Sequence, residues 1–144
     1  MIKRLLHTIL FVLLVLSTGF SQQVEKILVK SFNLQGKQTV ELDLDGPIEV
    51  KTWKNDILRV QMSVSLQNGS ESILKSLVQV GRYNLKSDIT DEKFSIYLPT
   101  LEKEVKIRGT LLEEQVSFLV FVPENVEVKL TNTAASSAQK TSAF

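Results

Sequence analysis

The strict alternation of apolar and polar residues between positions 57 and 66 constrains the fold of this chain more than any other feature. Apolar side chains occupy every second position, at Leu58, Val60, Met62, Val64 and Leu66. Successive side chains of a β-strand point to opposite faces of a sheet, so this period predicts a strand with one buried and one wet face. The core of the protein is therefore expected to be built from sheet.

Two shorter segments before this strand alternate in the same way. Residues 39–44 and 48–51 each carry an apolar residue at every second position. Asp45-Gly46 separates them, a dipeptide typical of tight turns because glycine adopts positive φ without penalty. Together with residues 57–66, these segments predict a three-stranded antiparallel meander.

The period changes to that of a helix after this meander. Four apolar residues recur at helical spacing, at Ile73, Leu74, Leu77 and Val78. Ser70 precedes them and is a favourable N-cap, because its hydroxyl accepts a hydrogen bond from the first turn. Gly81 follows them and suits the left-handed conformation in which many helices end. The pattern predicts one amphipathic helix of about three turns, packed on the sheet.

The rest of the chain shows strand patterns again. Further strands are predicted at residues 24–34, 83–85, 94–98, 104–108, 115–122 and 126–130. The register of the first is left open, and residues 86–93 are predicted to form a charged loop. Residues 115–122 are apolar on both faces, which predicts a central strand covered on both sides.

These patterns predict a mainly β fold of antiparallel hairpins in a sandwich or short β-solenoid, with one amphipathic helix packed on a face. A single β-rich domain is expected at residues 22–130, since the length of the chain suffices for one core but not for two. Residues 131–144 are small, polar and of low complexity. They are predicted to form a flexible tail, because they have too little apolar surface to be held in a core.

The first 21 residues have the organisation of a cleavable secretory signal peptide. Lys3 and Arg4 precede an apolar run from Leu5 to Leu16, and Gly19 and Ser21 are small residues two positions apart. Cleavage is expected after Ser21. A retained membrane anchor and a buried helix are the alternatives, although the apolar run is shorter than the roughly 20 residues that span a bilayer. The chain is therefore expected to be exported to the periplasm, cell surface or extracellular space, with no membrane span after cleavage.

The exported part lacks the side chains on which most protein catalysis and metal binding depend. The sequence has no cysteine, and its one histidine, His7, lies in the signal segment. Cysteine nucleophiles, Ser–His relays and the usual zinc, copper and haem ligands are therefore excluded. We predict no catalytic residue, no cofactor and no metal site, and we expect that the protein is not an enzyme.

The charge of the chain excludes two classes of partner. The formal net charge is +1, from 17 basic and 16 acidic residues. Lys3 and Arg4 leave with the signal, and no acidic residue does, so the exported chain has a net charge of −1. A nearly neutral chain with evenly spread charges offers no electrostatic basis for binding nucleic acid or an anionic membrane surface. The expected partner is an envelope or extracellular protein or glycan.

Carboxylates are the remaining groups that could support hydrolysis or calcium binding. One cluster contains Glu41, Asp43 and Asp45, and the other contains Asp88, Asp91 and Glu92. Paired carboxylates hydrolyse glycosides when they are about 5 to 9 Å apart, and Ca²⁺ requires about six to eight oxygen ligands. We favour a turn role for Asp45 and chance clustering for the others. A carbohydrate- or calcium-dependent binding protein, or a carboxylate-based hydrolase, is kept as the alternative function.

The single tryptophan, Trp53, is the one candidate contact residue. By parity it falls with Glu49 and Lys51 on the outward face of its strand. An exposed tryptophan can stack on a sugar ring or anchor a protein partner, because it offers a large rigid apolar surface. We favour the interpretation that the helix or a neighbouring strand covers it, since residues at strand ends often depart from alternation.

The stretch from Val40 to Trp53, VELDLDGPIEVKTW, resembles a bacterial family of exported β-repeat domains of unknown function labelled "putative adhesin". Residues 121–128, FVPENVEV, are similar to the strand–proline–turn–strand that precedes the repeats of this family. The signal end at residues 20–22 is similar to those of Bacteroidetes-type bacteria. Family members continue into stacked glycine-turn repeats where this chain has residues 131–144, which implies a short, head-like version. The resemblance implies no catalytic or binding residues.

Sequence and resemblance together predict a non-enzymatic module of the cell envelope or the secreted fraction that acts by surface contact, in the manner of an adhesin. Exposed strand edges and Trp53 are the expected contact elements.

Overall fold

The structure, a computed structural model, describes residues 23–131 as two four-stranded sheets, one two-stranded hairpin and one helix. The strands are β1 (Val24–Asn33), β2 (Thr39–Asp43), β3 (Ile48–Trp53), β4 (Ile57–Leu66), β5 (Lys86–Ile89), β6 (Phe94–Tyr97), β7 (Lys106–Ile107), β8 (Thr110–Leu111), β9 (Glu114–Pro123) and β10 (Glu127–Leu130). Helix α1 (Glu71–Gln79) lies between β4 and β5. The predicted mainly β class with one helix is confirmed.

The first sheet, sheet A, has the strand order β1-β4-β9-β3. Strand β4 pairs antiparallel with both β1 and β9, whereas β9 and β3 run parallel. Met62 of β4 therefore lies between Leu28 of β1 and Phe118 of β9. All three side chains point into the protein, and the intervening residues of these strands form the outward face of sheet A.

The second sheet, sheet B, has the strand order β10-β2-β6-β5. Strand β2 pairs parallel with β10 on one side and with β6 on the other, and β5 pairs antiparallel with β6. Leu42 of β2 lies between Leu130 of β10 and Ile96 of β6. Parallel neighbours require a crossover, and here the chain passes through sheet A between β2 and β10.

The two sheets enclose one hydrophobic core. The rings of Phe32 on β1 and Phe94 on β6 meet edge to face with their centroids 5.9 Å apart, which joins sheet A to sheet B. Leu58 and Met62 from sheet A and Ile96 from sheet B are buried in the same cluster. Each such side chain stabilises the fold by about 1.5 to 3 kcal/mol relative to an exposed position. The protein is thus a β-sandwich, one of the two predicted architectures.

The predicted meander of residues 39–66 is wrong. Strand β2 belongs to sheet B while β3 and β4 belong to sheet A, and β9 lies between β3 and β4. Alternation reveals which side chains face the core but not which strand is the neighbour. The same pattern therefore fits a hairpin within one sheet and a connection between two facing sheets.

Gly46 makes the crossing from β2 to β3 possible. Its φ is +134°, a value that L side chains rarely adopt, and a Cβ atom there would lie 2.5 Å from the backbone oxygen of Val116 on β9. Beside it, the N–H of Phe118 donates to the oxygen of Pro47 at 2.8 Å. The turn predicted at Asp45-Gly46 exists, and its glycine allows β3 to start directly against β9.

Helix α1 begins at its predicted cap. The Ser70 hydroxyl accepts a hydrogen bond from the Ile73 N–H at 3.4 Å, and Glu71 in the first turn pairs with Lys75 at 2.8 Å. Leu74 is buried, and the helix packs against β1, at the edge of sheet A. The helix therefore closes one side of the sandwich.

Part of the predicted loop at 86–93 is a strand. Strand β5, Lys86–Ile89, pairs with β6, and all four of its residues are exposed because it forms the edge of sheet B. An edge strand of this kind has no apolar alternation that a sequence pattern could reveal. Residues 83–85, predicted as a strand, instead form the turn that leads from α1 into the sheet, with Tyr83 and Leu85 buried.

The predicted signal peptide at residues 1–21 and the predicted tail, apart from Thr131, lie outside the described residues. Within residues 23–131, no helix has the length and apolar character needed to cross a membrane.

Replacing Gly46 with alanine is expected to destabilise the protein by about 3 kcal/mol or more, because strain at positive φ adds to the overlap with the Val116 backbone. Gly109→Ala is the matched control, since Gly109 has a φ of +83° but open space around its Cβ position. It is expected to cost only about 1 kcal/mol. Urea unfolding measures both free energies, and equal losses in the two variants would contradict the role assigned to Gly46.

Candidate functional site

The outward face of sheet A carries two chemically different regions. Towards the end of β3, an aromatic and apolar region that we call the contact surface consists of Val29, Arg59, Leu119, Phe121 and Trp53. At the opposite end lies an open cleft of about 780 Å³.

Trp53 lies on the outward face, as its parity predicts. The register pairs it with Pro123 of β9, and its ring packs on Phe121 with the centroids 5.3 Å apart and the planes 34° from each other. Its Nε1–H donates to the backbone oxygen of Ile57 at 2.9 Å. Trp53 is half-buried, because neighbouring strands cover it in part. The helix, which packs at the β1 edge, is not among the elements that cover it.

Arg59 also packs on the tryptophan ring. Its guanidinium carbon lies 4.9 Å from the centre of the Trp53 ring, which is a cation–π geometry. Within residues 23–131, Arg59 forms no ion pair and its buried Nε has no hydrogen-bond partner. The guanidinium is therefore held by an aromatic ring rather than by a carboxylate.

The contact surface continues as exposed apolar side chains. Val29 of β1 is 58% exposed, and Leu119 and Phe121 of β9 are half-buried. Ile27 of β1, 54% exposed, pairs with Ser63 and therefore lies next to the cleft. The prediction that residues 115–122 are covered on both sides is therefore wrong. Their inner face packs in the core, whereas no layer within residues 23–131 covers their outer face fully.

The cleft at the other end of this face has a polar floor and mixed walls. Its floor consists of outward residues of β4 and β9, namely Ser63, Ser65, Gln115 and Ser117. The segment between β6 and β9 forms one wall, and the turn between β2 and β3 forms another. The strand predicted at residues 104–108 is reduced in this wall to β7, which pairs with β8 around Gly109.

A buried ion pair holds the wall of the cleft in place. Arg82 and Glu114 are 7% and 9% exposed, and two guanidinium nitrogens contact the carboxylate at 2.8 and 2.5 Å. The remaining donors of Arg82 reach the backbone oxygens of Thr100 at 3.0 Å and Lys103 at 2.9 Å. The guanidinium therefore connects the start of β9 to the cleft wall. The hydrogen bond to Glu114 raises the pKa of Arg82 further.

The end of helix α1 positions Arg82 for this role. The N–H groups of Gly81 and Arg82 donate to the carbonyls of Val78 and Leu77 at 3.1 and 3.0 Å, and Gly81 has a φ of +79°. This is a Schellman motif, which fixes the direction of the chain after the helix. The predicted glycine cap is confirmed. The sequence signal for the position of Arg82 is that this arginine directly follows the capping glycine.

Tyr83 also contacts the buried ion pair. Its hydroxyl donates to Glu114 Oε1 at 2.5 Å. Burial, and then the hydrogen bond to Glu114, raise the pKa of Tyr83 well above its usual value of about 10. The phenol is therefore neutral at every physiological pH and acts as a hydrogen-bond donor.

Asn68 anchors the end of the cleft wall next to β9. Its side-chain nitrogen donates to the oxygen of Leu111 at 2.8 Å, and its side-chain oxygen accepts from the N–H of Glu113 at 2.8 Å. Two polar anchors, Asn68 and Arg82, thus hold the same segment from both ends.

The structure separates the carboxylates of the first predicted cluster. Asp43 is exposed on sheet B, whereas Asp45 lines the cleft beside sheet A. Glu41 forms an ion pair with Lys93, and the hydrogen bond from Lys93 lowers the pKa of Glu41. Of the second cluster, Asp88 lies on the edge strand β5, where its side chain accepts a hydrogen bond from the Ile89 N–H at 3.0 Å.

Within residues 23–131, no three His, Cys, Asp or Glu side chains come together in a group that could hold a metal ion.

No family model and no curated protein matches the sequence. A solved structure from Clostridium sporogenes ATCC 15579, described as a "putative cell adhesion protein", is similar with a TM-score of 0.40 and 11% identity. The similarity covers 74% of this chain and 46% of that one, so this chain spans less than half of that protein. A likeness of this degree supports no conclusion about function.

The Tyr83→Phe variant is expected to change how stability depends on pH above about 10. A raised pKa in the folded state means that the unfolded state loses its proton first. Stability is therefore fully present below pH 10 and falls above it by up to about 1.4 kcal/mol per pH unit. Tyr83→Phe removes this contribution and flattens the alkaline decline measured by urea unfolding. Tyr97→Phe is the control and keeps the decline, because Tyr83 is still present. If both variants decline as the unchanged protein does, Tyr83 does not titrate as described.

Proposed function

We propose that the protein is a non-enzymatic interaction module of the cell envelope or the secreted fraction, and that it binds its partner through the contact surface. The observation that carries this proposal is the cluster of Arg59, Trp53 and Phe121 on the outward face of sheet A, where Val29 is also exposed. Tryptophan and arginine are the side chains most enriched at the energetic centres of protein interfaces.

The arrangement of this surface supports binding rather than catalysis. The cluster is rigid, since Trp53 is fixed by its hydrogen bond to Ile57 and by the ring of Phe121. A rigid aromatic anchor binds with little loss of conformational entropy. Lys51 and Glu49, which border the surface on β3, pair with each other at 3.2 Å and provide a polar rim.

The composition of the exported chain supports the same proposal. It lacks histidine and cysteine, the residue types that most often provide nucleophiles and general bases. The segment of residues 1–21 supports export. The location of the protein in the envelope or outside the cell is part of the proposal.

A glycan is the second candidate partner for the contact surface. The half-exposed ring of Trp53, flanked by a guanidinium, offers a platform on which a sugar ring can stack. A shift of the melting temperature by members of a glycan panel, lost in Trp53→Ala, would favour the glycan over a protein partner.

Photo-cross-linking from position 29 in intact cells is expected to capture an envelope or extracellular component. Position 80 is the matched control, because Val80 is 79% exposed but lies at the end of helix α1, outside the contact surface. Adducts from position 29 and not from position 80 are the expected result. Equal capture from both positions, or capture of cytosolic proteins alone, argues against the proposal.

Replacement of Trp53 by alanine is expected to lower the yield of that adduct about tenfold, as for an interface hot spot. Trp53 also packs on Phe121, so the variant is first compared with the unchanged protein by circular dichroism and thermal melting. The variant Leu119→Ser gives a second measurement, because Leu119 belongs to the contact surface, is half-buried and is not part of the core cluster. Unchanged adduct yield in both well-folded variants would show that the contact surface is not the binding site.

A further inference from the structure

The cleft at the far end of sheet A is a separate site with its own chemistry. Ser65 in its floor is six residues from Arg59 along β4, about 20 Å at the rise of a strand. Among residues 23–131, no aromatic side chain lines the cleft. Whatever the cleft binds is therefore recognised by different forces from those at Trp53.

The lining of the cleft has an excess of negative charge. In the part of the chain that the structure describes, five carboxylates line it, those of Glu25, Asp45, Glu102, Glu104 and Glu114. Its two cations are Arg82 and Lys103, so the formal charge of the lining is −3. Within residues 23–131, Glu114 is the only one of these carboxylates in an ion pair, which it forms with Arg82. A concave site lined by one sign of charge concentrates counter-charged ligands.

The hydroxyl of a largely buried serine faces the same space. Ser65 is 7% exposed and lies on the outward side of β4, in the floor of the cleft. Its hydroxyl forms no hydrogen bond within residues 23–131, in contrast to the neighbouring Gln115, which accepts from Gln67 at 3.2 Å. The hydroxyl oxygen is not among the buried polar atoms without a partner, so it is open to the cleft, where it can donate to or accept from a ligand.

Apolar side chains complete the walls. Leu101 and Val105 lie on one side, Leu111 and Leu112 lie beside them, and Pro47 lies on the other wall. A lysine or arginine side chain fits such a site in both of its parts, because its methylene stem packs on apolar surface while its charged head reaches the acidic groups.

We propose that this cleft binds a basic segment of a partner protein, with a lysine or arginine side chain in the cleft and its cationic head between Ser65 and the unpaired carboxylates. The volume of about 780 Å³ lies in the range of specific ligand sites and exceeds what a single small amine fills. A sugar is disfavoured because the cleft offers no ring on which it could stack. An anionic ligand is disfavoured by charge.

The buried ion pair prepares the cleft for this ligand. Arg82 and Asn68 hold the wall segment from both ends through hydrogen bonds to its backbone. A wall that is already ordered loses little entropy when a ligand binds, so the binding energy is not spent on closing the cleft. The site is independent of the contact surface, and the proposed function can fail without affecting it.

The test is fluorescence anisotropy of the full chain with the labelled peptide Lys-Ser-Lys-Ser-Lys, compared with the same peptide carrying Gln or Glu in place of Lys. Saturable binding of the lysine peptide alone is expected, and it is expected to weaken as the salt concentration rises. The double variant Glu102→Gln and Glu104→Gln should weaken binding about fivefold to tenfold, because two partly exposed charge pairs are lost. Ser65→Ala should weaken it about threefold through one lost hydrogen bond.

Two control variants separate the cleft from general charge and from the contact surface. Asp91→Asn with Glu92→Gln removes the same charge from exposed positions outside the cleft and should leave the affinity within about twofold. Trp53→Ala should also leave it unchanged, even if the same variant loses its envelope adduct.

Several outcomes would overturn the proposal. These are no saturable binding of the lysine peptide, equal binding of the glutamine or glutamate peptide, or equal losses in the cleft and control double variants. Loss of binding in Trp53→Ala, with the cleft variants unaffected, would assign the peptide to the contact surface instead.

Discussion

The position of β9 between an antiparallel and a parallel neighbour is the constraint on which the other features of this protein depend. Its antiparallel partner β4 and its parallel partner β3 are both fixed by its backbone, and β3 can start there only because Gly46 passes under the oxygen of Val116 without a side chain. The inner residues of β9 complete the core. Its outer residues Leu119 and Phe121 provide the floor of the contact surface, and its first residue, Glu114, holds Arg82.

The buried Arg82–Glu114 pair fixes the position of the cleft wall more than it stabilises the fold. Burying two charges is expensive, and the attraction between them offsets this cost only when every donor and acceptor is satisfied. Here the two backbone oxygens at Thr100 and Lys103 and the hydroxyl of Tyr83 supply the missing partners. The result is a segment whose backbone is fixed by a side chain from a distant turn. Hydrophobic residues of the same size would pack as well but would not direct two carbonyl groups.

Sequence patterns predicted the individual strands and the helix of this fold better than they predicted which strands pair with each other. The alternation at β4 and the caps at Ser70 and Gly81 are local properties, and each is present as predicted. The pairing of β3 with β9 joins segments that are far apart in sequence, and no local pattern specifies it. Strand β5 was not predicted, because an exposed edge strand needs no apolar face.

The candidate site was predictable only in part, for the same reason. Parity placed Trp53 outward, but its partners Phe121 and Arg59 come from two other strands, and only the register brings them together. Glu114 and Arg82 likewise carry no signal of their pairing. The apolar outer face of β9 led to the wrong prediction that the protein itself covers this face. A strand that is apolar on both faces is expected to be buried on both. The pattern does not reveal whether the second face is covered by the same chain or by a partner.

The question of what covers the outer face of sheet A also concerns the contact surface. Exposed Ile27 and Val29 on an edge strand favour unwanted pairing between chains, and proteins usually protect such edges with charge. The buried Nε of Arg59, which finds no hydrogen-bond partner among residues 23–131, costs about 1 to 3 kcal/mol. Both features weaken the isolated domain, and both lie on the same outward face of sheet A. Stability of the fold explains neither of them, whereas a partner that covers the face would remove the exposed apolar surface.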